Sequence, residues 1–198
     1  MRTLVSIRRL ALILFAVLIS ANALAVTKTS VGTGNWNTAG TWSPSGVPTA
    51  ADNVIIASSN TVTVNANVSC LSVTINSGAT LTFTASKILT VGSGGITDNG
   101  TVTMNGGDIT LSGAAPFVLG SSSSFTWQPA TNTIGGATLF TNGIESFSSS
   151  STLIIKKWYS YTKALGSVVT GNFGNLTMNS LSGTSIFEWN QNNQFETH

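Results

Sequence analysis

Short triplets in which apolar and polar side chains alternate recur between Asp52 and Gly113. One series, with starts 19 and 21 residues apart, comprises Val62-Thr63-Val64, Leu81-Thr82-Phe83 and Val102-Thr103-Met104. A second series, with starts 19, 16 and 20 residues apart, comprises Val54-Ile55-Ile56, Val73-Thr74-Ile75, Leu89-Thr90-Val91 and Ile109-Thr110-Leu111. Such alternation is typical of β-strands with one buried face. Two interleaved series at one period predict a coiled chain with at least two faces.

Turn-forming residues separate these triplets, as in Asp98-Asn99-Gly100 and Asn105-Gly106-Gly107. Glycine and asparagine tolerate the positive φ values that tight corners require. We therefore predict an all-β fold, a parallel β-solenoid with coils of about 20 residues. An antiparallel sandwich is the alternative, because Asn99-Gly100 also suits a two-residue hairpin.

The solenoid makes a specific prediction about which side chains stack on each other. Val62, Leu81 and Val102 should form one inward column, and Val73, Leu89 and Ile109 a second. Antiparallel pairing of residues 62–64 with 73–75 would contradict it.

The first 25 residues have the composition of a secretory leader. Arg2, Arg8 and Arg9 precede an apolar run from Leu10 to Ile19, and Ala23-Leu24-Ala25 supplies the small residues of a cleavage site. An apolar run of about ten residues is too short to cross a bilayer, which takes about 20. We therefore predict cleavage after Ala25, a secreted or cell-surface location, and no membrane span once the leader is removed.

Few ionisable side chains remain for chemistry. Of the 198 residues only 7% are charged, and the single His lies at position 198. Without its three Arg, the chain keeps five basic and six acidic residues, so its formal charge falls from +2 to −1. This composition predicts no metal site, no cofactor and no nucleic-acid partner. The lone Cys70 is expected to be a reduced, buried thiol.

The N-terminal third also carries a family resemblance. Gly34-Asn35-Trp36, Thr41-Trp42, Gly46-Val47-Pro48, Asp52-Asn53-Val54-Ile55-Ile56, Thr61-Val62-Thr63-Val64 and Gly78-Ala79-Thr80-Leu81 resemble the opening of G8-type domains. The resemblance covers roughly residues 31–112 and is in particular to domains that begin secreted β-helix proteins of Bacteroidetes-like bacteria. It implies a right-handed parallel β-helix displayed outside the cell. The family is associated with extracellular binding and, in some animal members, with glycan turnover, but it carries no catalytic residue onto this sequence.

We divide the chain into a leader (1–25), an N-terminal cap region (26–53), regular coils (54–113) and irregular coils (114–198). The period blurs beyond residue 113, where serine runs at 121–124 and 148–151 read as loops or polar corners. The stretch from Gly171 to Asn179 resembles a recurring coil of those long bacterial proteins. Because we find no sorting domain or cap after it, we expect a C-terminally truncated piece of a longer protein with further domains downstream.

Two groups of residues are candidate sites. Trp36 and Trp42 either stack on a sugar or plug the N-terminal end of the solenoid, and we favour a structural cap that includes Asp52, which we expect to cap a turn. The second group lies in the segment from Lys156 to Lys163, where Lys157, Tyr159 and Tyr161 would share one face of a strand and Trp158 the other. Such a face suits an acidic glycan, or it protects an edge strand from aggregation.

Catalysis is the weakest interpretation, because Asp98 and Asp108 are ten residues apart and look like corner residues that point in different directions. We therefore expect no enzymatic activity. Thr61/Thr63, Thr80/Thr82 and Thr101/Thr103 would align as two outward columns, which also suits ice binding. The leading hypothesis is a non-catalytic structural or adhesive module. The alternatives are a glycan-binding module that contacts extracellular polysaccharide or host cell-surface components and, less favoured, part of a polysaccharide-degrading enzyme.

Overall fold

The computed structural model describes residues 25–113, 115–128 and 144–156, together with the short strands 169–170, 175–178, 187–189 and 195–197. The described chain is an all-β protein in which parallel strands stack into a solenoid, which confirms the predicted fold class. The predicted leader, apart from Ala25, lies outside the described residues.

Two sheets run along the solenoid. Sheet A contains β1 (Thr27–Ser30), β3 (Trp42–Ser43), β4 (Asn53–Ile56), β6 (Val68–Ile75), β8 (Ile88–Asp98), β10 (Asp108–Leu111), β11 (Pro116–Leu119), β13 (Ile144–Phe147) and β15 (Val169–Thr170). Sheet B contains β2 (Gly34–Asn35), β5 (Thr61–Val64), β7 (Thr80–Phe83), β9 (Thr101–Thr103), β12 (Ser124–Trp127), β14 (Thr152–Ile155) and β16 (Asn175–Met178). A 3-10 helix spans Ala39–Thr41, and β17 (Phe187–Trp189) pairs antiparallel with β18 (Phe195–Thr197).

Sheet B confirms the first predicted column. Val62 pairs with Leu81 and Leu81 with Val102 in parallel register, and the column continues through Phe125 and Leu153. All five side chains are buried. The predicted alternation therefore sets the inward and outward faces of the sheet B strands β5, β7 and β9.

The second predicted column is wrong. Val73 of β6 stacks on Ile96 of β8, whereas Leu89 of β8 lies between Val68 and Ile109. The second series of triplets therefore belongs to two different faces, and the described coils have three sides. The interval of 16 residues between the Val73 and Leu89 triplets marks the place where the series changes face.

Strands β6 and β8 are long because each runs along two sides of the solenoid. The parallel register shifts between Cys70 and Ser72, where the single residue Leu71 of β6 faces three residues of β8. One of the residues that follow, Gly95, has a φ of +70°, and a Cβ there would overlap Pro116 of the next coil. Glycine thus allows β8 to turn the corner while remaining paired on both sides.

The core is one continuous apolar cluster that extends from Trp36 to Leu153 among the described residues. Near the later coils Phe117 packs edge-on against Phe125 and Phe147, with ring centroids 5.2 Å and 5.6 Å apart. Edge-to-face aromatic pairs add to the stabilisation from burial.

The stacked column predicts a large difference between inward and outward substitutions on the same strand. Leu81→Ala should lower the free energy of unfolding by about 2–5 kcal/mol, because it opens a cavity between Val62 and Val102. The outward neighbour Thr80 is half-buried, and Thr80→Ala should cost less than about 1 kcal/mol. Urea unfolding of the two variants measures the difference, and equal losses would contradict the assigned register.

Candidate functional site

The two N-terminal tryptophans lie in the core. Trp36 and Trp42 are almost fully buried and pack edge-on with ring centroids 5.2 Å apart. Trp42 Nε1 donates a hydrogen bond of 2.8 Å to the Trp36 carbonyl oxygen. Neither ring offers a face on which a sugar can stack.

The surrounding backbone shows how this end of the solenoid is covered. Strand β3, which begins at Trp42, pairs antiparallel with the outer edge of β1. At the edge of sheet B, the Asn35 carbonyl oxygen accepts hydrogen bonds from Thr38 N at 3.2 Å and from Thr41 Oγ1 at 2.9 Å. Edge protection of this kind supports the cap interpretation.

Asp52 is buried and holds a turn together. Its Oδ2 accepts hydrogen bonds from Thr49 N at 2.8 Å and from Thr49 Oγ1 at 2.9 Å, and its Oδ1 accepts one from Val26 N at 3.2 Å. Burial acts to raise the pKa of Asp52, but the Thr49 and Val26 hydrogen bonds and the charge of Lys28 outweigh it, so the pKa lies below its ordinary value. The carboxylate is therefore ionised near neutral pH.

The aromatic and basic candidates Lys157, Trp158, Tyr159 and Tyr161 lie outside the described residues. Lys156, which precedes them, is exposed and donates its backbone N–H to the Trp127 carbonyl oxygen at 2.9 Å.

Asp98 occupies an inward core position. It pairs with Ile75 of one neighbouring coil and Leu119 of the other, and it is fully buried. Ser123 Oγ donates to its Oδ2 at 2.6 Å, and Gly100 N donates to its Oδ1 at 2.9 Å. Burial raises the pKa of Asp98 to about 6, although both hydrogen bonds act to lower it. The sequence indicates the corner at Asn99-Gly100, but the expectation that Asp98 is a corner residue missed that its carboxyl group points into the core.

Asp98 and Asp108 do not share a strand face. Asp98 ends β8, whereas Asp108 begins β10 and pairs with Ile88 at the opposite end of β8. Acid–base catalysis on a glycoside requires two carboxyl groups on either side of the scissile bond. This pair does not provide that arrangement. Within the described part of the chain, no group of three or more His, Cys, Asp and Glu side chains is placed to hold a metal ion.

The threonines of sheet B align as expected. Thr61, Thr80 and Thr101 form one outward column, and Thr63, Thr82 and Thr103 form the other. All six are half-buried. The next coil continues the columns with Ser124 and Thr126, but Thr126 is buried, and Asn105 Nδ2 donates to Thr82 Oγ1 at 3.0 Å.

Cys70 is a buried, unpaired thiol, as the sequence led us to expect. Burial raises its pKa to about 12, so the reactive thiolate is scarce at neutral pH. This cysteine packs in the core.

None of the helices in the described residues is long and apolar enough to cross a membrane.

A family model described as a domain of unknown function (DUF8693) matches residues 27–115. The match starts at the first residue of β1 and ends immediately before β11, so it covers the cap region and the regular coils. The chain matched no curated protein and no solved structure in the corresponding comparisons.

The raised pKa of Asp98 predicts a pH-dependent stability. The folded state binds this proton more tightly than the unfolded state, whose pKa is near 3.8. Its contribution is therefore fully present below about pH 4 and is lost as the pH rises through about 6, with a total of about 3 kcal/mol.

Urea unfolding between pH 4.5 and pH 8 tests this, with the variant Asp98→Asn as the matched control. An amide can accept from Gly100 N and donate to Ser123 Oγ, so the variant should keep both hydrogen bonds without a charge. We expect it to be more stable than the wild type at pH 8 and to lose most of the pH dependence. Parallel stability curves for the two proteins would refute the assignment.

Proposed function

We propose that this chain is a non-catalytic structural module of a secreted or cell-surface protein, in which the solenoid acts as a stiff spacer or adhesive scaffold. The observation that carries the proposal is the unbroken register of inward apolar columns along sheet B, from Val62 to Leu153. Each coil contacts its neighbours through these columns and through backbone hydrogen bonds, so length is added one strand spacing at a time.

Three of the described ionisable groups also support a structural role. Asp52 and Asp98 are held by hydrogen bonds inside the fold, and Lys28 Nζ donates to the carbonyl oxygens of Pro44 at 2.9 Å and Ser45 at 3.2 Å. These side chains form hydrogen bonds within the chain that stabilise the fold. The predicted leader, with its cleavage site after Ala25, supports export.

A scaffold should tolerate removal of a whole coil, which gives a sharp test. Deletion of residues 62–80 joins Thr61 to Leu81, so that β7 replaces β5 beside β2 and the second half of β8 replaces β6 beside β4. We expect this variant to fold and to be shorter by about 4.8 Å in small-angle scattering. Deletion of residues 62–71 removes half a coil, breaks the register and should prevent folding.

The same proteins test the rival functions. Expressed with the leader and a C-terminal tag, the wild type and the whole-coil deletion should expose the tag equally on intact cells or in the medium. Neither should release products from a polysaccharide panel. Turnover that is lost in Asp98→Asn or Asp108→Asn would overturn the proposal in favour of an enzyme, and glycan-array binding that is lost in Trp158→Ala would favour a glycan-binding module.

Ice adsorption is a second candidate, favoured by the alignment of Thr61, Thr80 and Thr101 beside Thr63, Thr82 and Thr103. Hydroxyl groups in such an array repeat at about 4.8 Å across strands and about 6.6 Å along them. A regular array of hydroxyl groups of this kind can order water at its surface. Against this candidate, the array ends at the buried Thr126.

Thermal hysteresis of the purified protein decides this second candidate. If the face adsorbs to ice, the wild type should show hysteresis, and Thr80→Tyr, which places a ring in the middle of the array, should abolish it. Thr74→Tyr makes the same change on the outward face of sheet A and should leave hysteresis intact. A wild type without hysteresis eliminates ice adsorption and leaves the scaffold proposal unaffected.

A further inference from the structure

Val26 is held at the start of the first coil by both of its backbone groups. Its carbonyl oxygen accepts a hydrogen bond from Asn53 N at 2.9 Å, and its N–H donates to Asp52 Oδ1 at 3.2 Å. The next residue, Thr27, begins β1 and pairs with Asn53. Val26 is thus the first residue that the fold anchors through its backbone in the described part of the chain, and its neighbour Ala25 is exposed.

The sequence places a leader cleavage site at the same bond. Ala23 and Ala25 are the small residues that a leader peptidase requires, and they follow the basic and apolar parts of the leader. The composition of the leader and the anchoring of Val26 are independent observations, and both point to the bond between Ala25 and Val26.

We propose that Ala25–Val26 is the processing site of the chain and that the Asp52 carboxylate is the receptor for the α-ammonium group that cleavage creates on Val26. Hydrolysis by a leader peptidase adds water across the amide bond. The hydroxyl group goes to the Ala25 carbonyl carbon, which leaves with the leader as a carboxylate, and the Val26 nitrogen takes up protons to become an ammonium. The hydrogen bond from an uncharged amide N–H to the carboxylate thereby becomes an ion pair.

The geometry around Asp52 favours this role. Its Oδ2 is held by two hydrogen bonds from Thr49, so the side chain is fixed before the ammonium group forms. Lys28, the charged residue on β1, directs its ammonium to the carbonyl oxygens of Pro44 and Ser45. Asp52 Oδ1 accepts its hydrogen bond from the Val26 nitrogen, the atom that becomes the ammonium group after cleavage.

Cleavage would then stabilise the N-terminal end of the solenoid. Val26 directly precedes β1, and β1 lies between β4 and β3. β3, the outermost strand at this end of sheet A, pairs with β1 and therefore depends on its position. The inference rests on the predicted leader and is independent of the scaffold role.

The first experiment is N-terminal sequencing of the protein that is exported with its own leader. We expect the sequence to start at Val26. A mature N-terminus at any other residue overturns the proposal, whatever role the solenoid has.

The second experiment is a cycle of four mature chains made from removable fusions. One pair starts at Val26 and the other retains Ala25, which restores the amide at Val26 and moves the ammonium by one residue. Each pair is made with the wild-type Asp52 and with Asp52→Asn. The extra Ala25 should raise the unfolding equilibrium constant about fivefold with Asp52 present and by much less in the Asp52→Asn background. Equal effects in the two backgrounds overturn the proposal.

A third measurement does not depend on the folding of the Asp52→Asn variant. In the chain that starts at Val26, the pKa of the α-amino group, followed by NMR, should lie above its ordinary value of about 7.7–8.0. Since the folded pKa is raised, the stabilisation is present below pH 8 and disappears as the pH rises through the folded value. An α-amino pKa at its ordinary value would show that no ion pair forms.

Discussion

The stability of this fold depends on one constraint, which is that every coil must return its strands to the register of the coil before. Backbone hydrogen bonds and apolar columns are satisfied by the same register, since Val62, Leu81 and Val102 are both paired residues and stacked side chains. A slip of one residue would turn the buried side of a strand to solvent. The corners therefore determine the register in which successive coils pair. At Gly100, a Cβ atom would come within 2.5 Å of the carbonyl oxygens of Asn76 and Ala79 in the previous coil, so the close stacking of these corners excludes a side chain.

Each polar side chain buried in this core needs hydrogen-bond partners that offset the free-energy cost of its desolvation. Ser30 stands at the inward position equivalent to Ile56, and its Oγ accepts hydrogen bonds from Ala57 N and Asn60 Nδ2, both at 2.9 Å. Asp98 is compensated in a similar way by Gly100 and Ser123, but a carboxylate costs more to bury than a hydroxyl. Because Ser123 belongs to the next coil, the bond to Asp98 ties two successive corners together. The buried polar side chains thus add hydrogen bonds between successive coils to the apolar packing of the columns.

The strands could be predicted where the chain is regular. The part of sheet B that contains β5, β7 and β9 was predictable, because these strands start 19 and 21 residues apart and alternate between apolar and polar residues. The faces of sheet A were not separated, because β8 passes from one side to the next through Gly92 and Gly95 within one continuous strand. Asp98 was misjudged for a related reason. The alternation of Ile96, Thr97 and Asp98 marks Asp98 as inward, but a charged residue beside Asn-Gly suggested an exposed corner. The contact between Val26 and Asp52 joins residues 26 positions apart, and no local pattern reports it.

The N-terminal end obeys different rules from the coils. In a solenoid each coil is stabilised by its neighbours, so the first coil lacks a partner on one side. Here that side is occupied by the chain itself, since β3 reverses direction to pair with β1 and the two tryptophans close the core beneath it. None of these contacts repeats along the axis. They replace on one side of β1 what β4 supplies on the other, and any stabilisation they give reaches the later coils through the pairing of β1 with β4 and of β2 with β5. The residues between Val26 and Asn53 therefore act on the rest of the solenoid through two strand interfaces, and a small change in the anchoring of Val26 affects β1 first.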